Sequence, residues 1–177
     1  MYSKEVQKRG KNMKDIIIYF DLDGTVYDLY HVPNWLEKLR GHKPRVFKEG
    51  QVMFDKDFYT ICEDLRDMFN VKFGVITLLP RESTNRYNNQ VIHTKLDWIK
   101  KHLPFVDMSL VHIIESQEDK HKYAKPNCRT YLIDDNENNC KAWTTAKMRT
   151  ALHVTKKFNV TDALLTIMKE NTLNDNC

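Results

Sequence analysis

Two apolar stretches of the sequence end in paired acids. "IIIYF" at 16–20 leads into Asp21 and Asp23, and "TYLI" at 130–133 leads into Asp134 and Asp135. Carboxylates held close repel one another, so at neutral pH they persist only beside a cation or by sharing a proton. Acids from two strand ends make an incomplete, oxygen-rich shell. That suits Mg²⁺, which binds a few carboxylates and keeps its other positions for water and substrate phosphate. The run "GVITLLP" brings the Thr77 hydroxyl to the same level, and "EDKHKYAKPN" supplies Lys120, Lys122 and Lys125 just ahead of the last acid pair. A lysine there offsets the charge of a nucleophile and a phosphoryl group together.

These residues need elements that deliver them to one place. Strand-length apolar runs recur at 16–20, 71–77, 110–114, 130–133 and 150–154 with helical segments between them. That alternation predicts a parallel sheet covered on both faces, an α/β sandwich of three layers. In such a sheet ligands bind beyond the carboxyl ends of the strands, where the acids stand. Helices are predicted over 57–69, with Phe58, Ile61, Leu65, Met68 and Phe69 on one side, and on a stripe of Ile92, Leu96, Ile99 and Leu103 ended by Pro104. Two more fit 136–147 and 161–169. The long stretch between the first two strands is rich in aromatics and broken by Pro33, Gly41, Pro44 and Gly50. It reads as a small helical cap over about 28–56. Trp35 in that cap is either a lid over a nucleobase or the filling of the cap's own core. Arg81 and Arg86, just past Thr77, either reach a substrate phosphate or are simply solvated.

In these residues the sequence resembles the haloacid dehalogenase (HAD)-like phosphohydrolases. "FDLDGT" at 20–25, Thr77, a lysine in "DKHKYA" and "LIDD" at 132–135 stand in the order of that family's four motifs. "VPNWL", "TKLDWIKKHLP" and "LIDDNENNCKAW" resemble more narrowly the phage and bacterial 5'(3')-deoxyribonucleotidase-like proteins. The resemblance implies a Rossmann-like fold and an Mg²⁺-dependent phosphatase. In it Asp21 attacks phosphorus, and Asp23 protonates the leaving oxygen and lends its backbone carbonyl to the metal. Thr77 holds a phosphoryl oxygen, Lys120 holds nucleophile and phosphate, and Asp134 and Asp135 complete the metal site. Lys120 is preferred over Lys122 and Lys125 because "KHKYA" matches the family's lysine followed by an aromatic and alanine; Lys125 is the fallback. Lys147 stands where the family commonly has the glycine of an Ala-Gly turn. The implied substrate is a small phosphorylated molecule, a (deoxy)nucleoside monophosphate, with Trp35 and Arg81 as further substrate contacts. Two rivals are a phosphatase of polynucleotide ends and a phosphate-metabolite binding module without turnover.

Composition limits the alternatives. The 177 residues suit one compact domain over 15–177, and 41% hydrophobic with 29% charged residues is ordinary for a soluble protein. The net charge of +4 sits in a flexible basic tail over 1–14, with five basic residues against Glu5. The remaining 23 basic and 23 acidic residues balance, which disfavours a broad nucleic-acid surface. The charged amino terminus has no apolar run behind it, so neither signal nor anchor is expected, and the cytoplasm is the expected place. Cys62, Cys128, Cys140 and Cys177 have neither zinc nor disulfide spacing and are expected to be reduced.

Overall fold

The computed structural model describes residues 15–174, so the tail expected over 1–14 and Cys177 lie outside the described residues. Five strands form one parallel sheet: β1 (Ile16–Phe20), β2 (Val71–Leu78), β3 (Val111–Ile114), β4 (Arg129–Asp134) and β5 (Arg149–His153). Their order is β3-β2-β1-β4-β5. All five residues of β1 are buried, as a central strand covered on both faces requires. Side chains alternate across it. Ile16, Ile18 and Phe20 enter the larger core with residues of α3 (Asp57–Phe69), α4 (Asn85–His102) and α6 (Val160–Asn174). Ile17 and Tyr19 enter a smaller core against Trp143 of α5 (Glu137–Trp143). The result is the α/β/α sandwich that the strand–helix alternation implies.

The strand order reverses direction at β1. The chain leaves it for β2 and β3 on one side, and β4 and β5 fill the other, so a crevice opens between the carboxyl ends of β1 and β4. Phe20 pairs with Ile133 in that ladder, and the Asp21 N–H donates to the Ile133 carbonyl at 2.8 Å. Asp21 and Asp134 therefore emerge side by side.

Between β1 and α3 stand two short helices, α1 (Trp35–Arg40) and α2 (Val46–Glu49), joined by a Lys38–Glu49 ion pair at 2.6 Å. Tyr27 fastens this segment. Its fully buried hydroxyl donates to the Val46 carbonyl and accepts from the Gly50 N–H at 2.7 Å, and its ring meets Trp98 of α4 edge-on at 5.3 Å.

Four helices differ from expectation. α6 begins at Val160 and runs on to Asn174, five residues past the expected end at 169. In α3 the buried side holds Phe58, Ile61, Cys62, Leu65 and Phe69, while Met68 lies one step round the helix and is exposed. In α4 the buried stripe is Tyr87, Asn88, Val91, Lys95, Trp98 and Ile99, and Ile92 and Leu96 stand only half-buried on its flank. The stripe runs through a lysine, which a hydropathy pattern counts as solvent-facing. α5 stops at Trp143 rather than 147, where Thr144 turns its hydroxyl back to the Cys140 and Lys141 carbonyls. The chain turns back toward β5 with Met148 at a φ of 65°.

Candidate active site

The turn after β1 brings Asp21 beside the acids at the end of β4. Gly24 has a φ of 90°, and a Cβ there would lie 2.4 Å from Asp135 Oδ2 and 2.5 Å from the Tyr30 ring, so both backbone and space require glycine. Thr25, also buried, accepts from the Asp135 N–H at 3.0 Å and donates to Asp21 Oδ2 at 3.4 Å. One hydroxyl thereby ties the two strand ends together.

Of the three candidate lysines, the structure brings Lys120 to the acids. It sits in a 3-10 turn (Lys120–Tyr123) ahead of β4, is 3% exposed, and donates to Asp21 Oδ1 and, at 2.8 Å, to Asp134 Oδ2. Lys122 instead pairs with exposed Asp119, and Lys125 is exposed. Asp134 is fully buried and richly bonded, also accepting from the Asn136 N–H at 2.8 Å and from Asn139 Nδ2 at 3.3 and 3.1 Å.

The electrostatics follow from this crowding. Burial pushes the Asp21 carboxyl up; Lys120 pulls it back, and Asp134, Asp23 and Asp135 push it up again. Burial alone would lower Lys120, but the Asp21 and Asp134 carboxylates more than reverse that, so its ammonium stays charged. Asp135 is pushed up to about 6, by burial first and then by Asp134. Asp21, Asp134 and Asp135 offer oxygens that all lie within 4.8 Å of one another. Three hard oxygen donors whose mutual repulsion Lys120 relieves only in part fit a divalent cation of the Mg²⁺ class.

Asp23 is turned elsewhere. Its Oδ2 accepts from Lys95 Nζ at 2.5 Å and lies 3.5 Å from Thr77 Oγ1, while its Oδ1 is buried with no hydrogen-bond partner. Thr77 is fully buried at the end of β2, and its hydroxyl accepts from Lys95 at 2.8 Å. Sequence reasoning misses Lys95, whose signals are its place in "TKLDWIKKHLP" and its helical spacing from Val91, Trp98 and Ile99. Asn139, one turn into α5, had no signal beyond its place after the acids.

Above the acids lies a cavity of about 790 Å³, within the roughly 300–1,000 Å³ of small-molecule sites. Asp21, Asp23, Lys120, Asp134 and Asp135 line it, as do Trp35 and Arg81 from its walls. Trp35 is half-buried and meets Tyr30 edge-on at 5.2 Å, and Arg81 is exposed. Arg86 is exposed and is not part of the lining.

No family model and no curated protein matches the chain. Among solved structures, the chain is similar to the HAD domain of effector protein Lem4 from Legionella pneumophila. The identity is 14% and the TM-score 0.43, over 88% of this chain and 94% of that one. An inactive mutant of the same domain gives 14% and 0.43 over 90% and 93%.

Proposed function

We propose that the protein is an Mg²⁺-dependent phosphomonoesterase of the haloacid dehalogenase-like type that works through an aspartyl phosphate. The observation that carries this reading is the buried Lys120 ammonium between Asp21 and Asp134, at the point where the strand order reverses and with Asp135 beside them. A carboxylate held by a lysine in a largely water-excluded floor is an activated nucleophile aimed at an electrophile that is itself anionic.

An Asp21 oxygen attacks phosphorus, and the bond from phosphorus to the ester oxygen breaks. The electron pair stays on the departing alcohol, which takes a proton from the Asp23 carboxyl. Water then attacks phosphorus, gives a proton to Asp23, and releases phosphate with the Asp21 carboxylate restored. Lys120 neutralises charge on Asp21 and on the phosphoryl oxygens through both steps. Thr77, which accepts from Lys95, keeps its own proton to donate to a phosphoryl oxygen or to Asp23. Asp21, Asp134, Asp135 and the Asp23 backbone carbonyl would hold the Mg²⁺, which when bound supplies positive charge against the phosphoryl group. Asp135 is the better direct ligand beside Asp21, because both Asp134 oxygens already accept from protein donors.

The segment 28–56 acts as the cap and limits substrates to small ones. Trp35 and Tyr30 offer an aromatic wall for a base and Arg81 a positive charge, which supports (deoxy)nucleoside monophosphates as the substrate class. A cytoplasmic setting belongs to the same proposal; among the described residues, no helix is long and apolar enough to cross a membrane.

The test is phosphate release with Mg²⁺ over nucleoside 5'- and 3'-monophosphates, sugar phosphates and phosphorylated oligonucleotides, with Asp21→Asn as control. Turnover of monophosphates that disappears in the variant is the expected result. Turnover confined to oligonucleotides would move the function to polynucleotide ends. Silence on every ester would leave a binding module.

A further inference from the structure

We infer that Lys95 is a positioning residue for the acid Asp23, fixing the rotation of the carboxyl that handles the proton of the leaving group. The inference rests on the phosphatase reading above and adds a residue outside the four phosphatase motifs, one that lies within "TKLDWIKKHLP".

Lys95 is wholly buried, in the middle of the stripe by which α4 packs against the rest of the fold. A leucine would serve that packing better, since burying an ammonium is costly unless its charge and all its donors are matched. Here they are. The three protons of Nζ go to Asp23 Oδ2 at 2.5 Å, Thr77 Oγ1 at 2.8 Å and the Leu78 carbonyl at 2.8 Å. The ammonium also lies 4.6 Å from the centre of the Phe47 ring of α2.

Three consequences follow from that arrangement. No donor of Lys95 is left for a substrate, which separates it from Lys120: it acts through Asp23 and not on the phosphoryl group. Its anchors are Thr77 and Leu78 at the end of β2 and the ring of Phe47, so Asp23, carried on the turn after β1, is referenced to a different strand and to the segment that walls the cavity. Finally, both contacts to the Asp23 carboxyl fall on Oδ2, while Oδ1 is buried and unpartnered. Lys95 thereby fixes the rotation of the carboxyl that carries the proton to the ester oxygen and later receives one from water. Without it the carboxyl is free to rotate, and misplacing a proton donor is costly to rate.

The consequence depends on the leaving group. An alkyl ester, such as a nucleoside 5'-phosphate, needs its departing oxygen protonated, whereas p-nitrophenolate leaves with little help. Lys95→Met is expected to lower kcat on the nucleotide by about 100-fold, the range of general acid catalysis, and on p-nitrophenyl phosphate by less than about fivefold. In an Asp23→Asn background the same change is expected to have almost no further effect, as for two residues acting as one unit. Should Lys95→Met fail to fold, Lys95→Gln keeps a donor of similar reach and gives the same bias, about tenfold on the nucleotide. Equal losses on the two esters, or full additivity with Asp23→Asn, would overturn the inference while leaving the phosphatase reading intact. A wild-type protein inactive on both esters would overturn that reading, and the inference with it.

Discussion

At the scale of single residues, the acids solve their repulsion with ammonium groups before any metal is considered. Lys120 answers Asp21 and Asp134, and Lys95 answers Asp23. Asp21→Asn removes the proposed nucleophile but keeps the shape, so activity is expected to fall by more than about 10³-fold with the fold retained, read by phosphate release and circular dichroism. Lys120→Met is different in kind. It leaves two buried carboxylates without their cation, and removing one partner of a buried pair costs about 3–5 kcal/mol, so urea unfolding is expected to show a loss of that size together with lost activity. The sequence made the acids legible because carboxylates at the ends of apolar runs are conspicuous. It left Lys120, Lys122 and Lys125 open by residue type alone, since only the 3-10 turn decides which of them points inward. Lys95 was invisible because a buried lysine leaves the same mark in a hydropathy pattern as a solvated one.

At the scale of elements, the site depends on the turn after β1 as much as on its acids. Gly24→Ala would force an L residue to a φ of 90° and drive its Cβ against Asp135. Strain of this kind costs about 1–3 kcal/mol, and the displaced Asp135 is expected to raise the Mg²⁺ concentration needed for half-maximal activity by about tenfold. An Mg²⁺ titration of activity checks the second effect and a thermal melt the first. Strands were the most legible elements: β1 matched its apolar run, and the other four moved by a residue or so at one or both ends. The helices were legible in existence and less so in face and length. α4 was read with its buried face rotated toward Ile92 and Leu96, and α5 was read too long, because the hydroxyls of Thr144 and Thr145 compete locally for the carbonyls that would have continued it.

At the scale of the whole molecule, the alternation of strands and helices disclosed a parallel three-layer fold but not the order of strands within the sheet. That order depends on which faces α3, α4, α5 and α6 cover, a long-range outcome that no local run records. The proposed metal binding, the fold and pH are coupled at this scale. Burial first pushes the Asp21 carboxyl up to about 8 and the Asp135 carboxyl up to about 6, so each is protonated below its own range in the metal-free protein. A divalent cation needs the ionised forms, so Mg²⁺ affinity is expected to weaken as pH falls below about 8 and more steeply below about 6, where both carboxyls compete for protons. Mg²⁺ should accordingly raise the melting temperature clearly at pH 7.5 and much less at pH 5, which calorimetry can follow without any substrate.

The most direct test of the account is acid quenching of the Mg²⁺-loaded protein during turnover of a nucleoside monophosphate, followed by mass spectrometry of its peptides. One phosphoryl group is expected on the peptide containing Asp21, formed during turnover, absent in Asp21→Asn and accumulating when water attack is slowed in Asp23→Asn. Steady turnover with no phosphoryl group on that peptide in either the wild type or Asp23→Asn would contradict it.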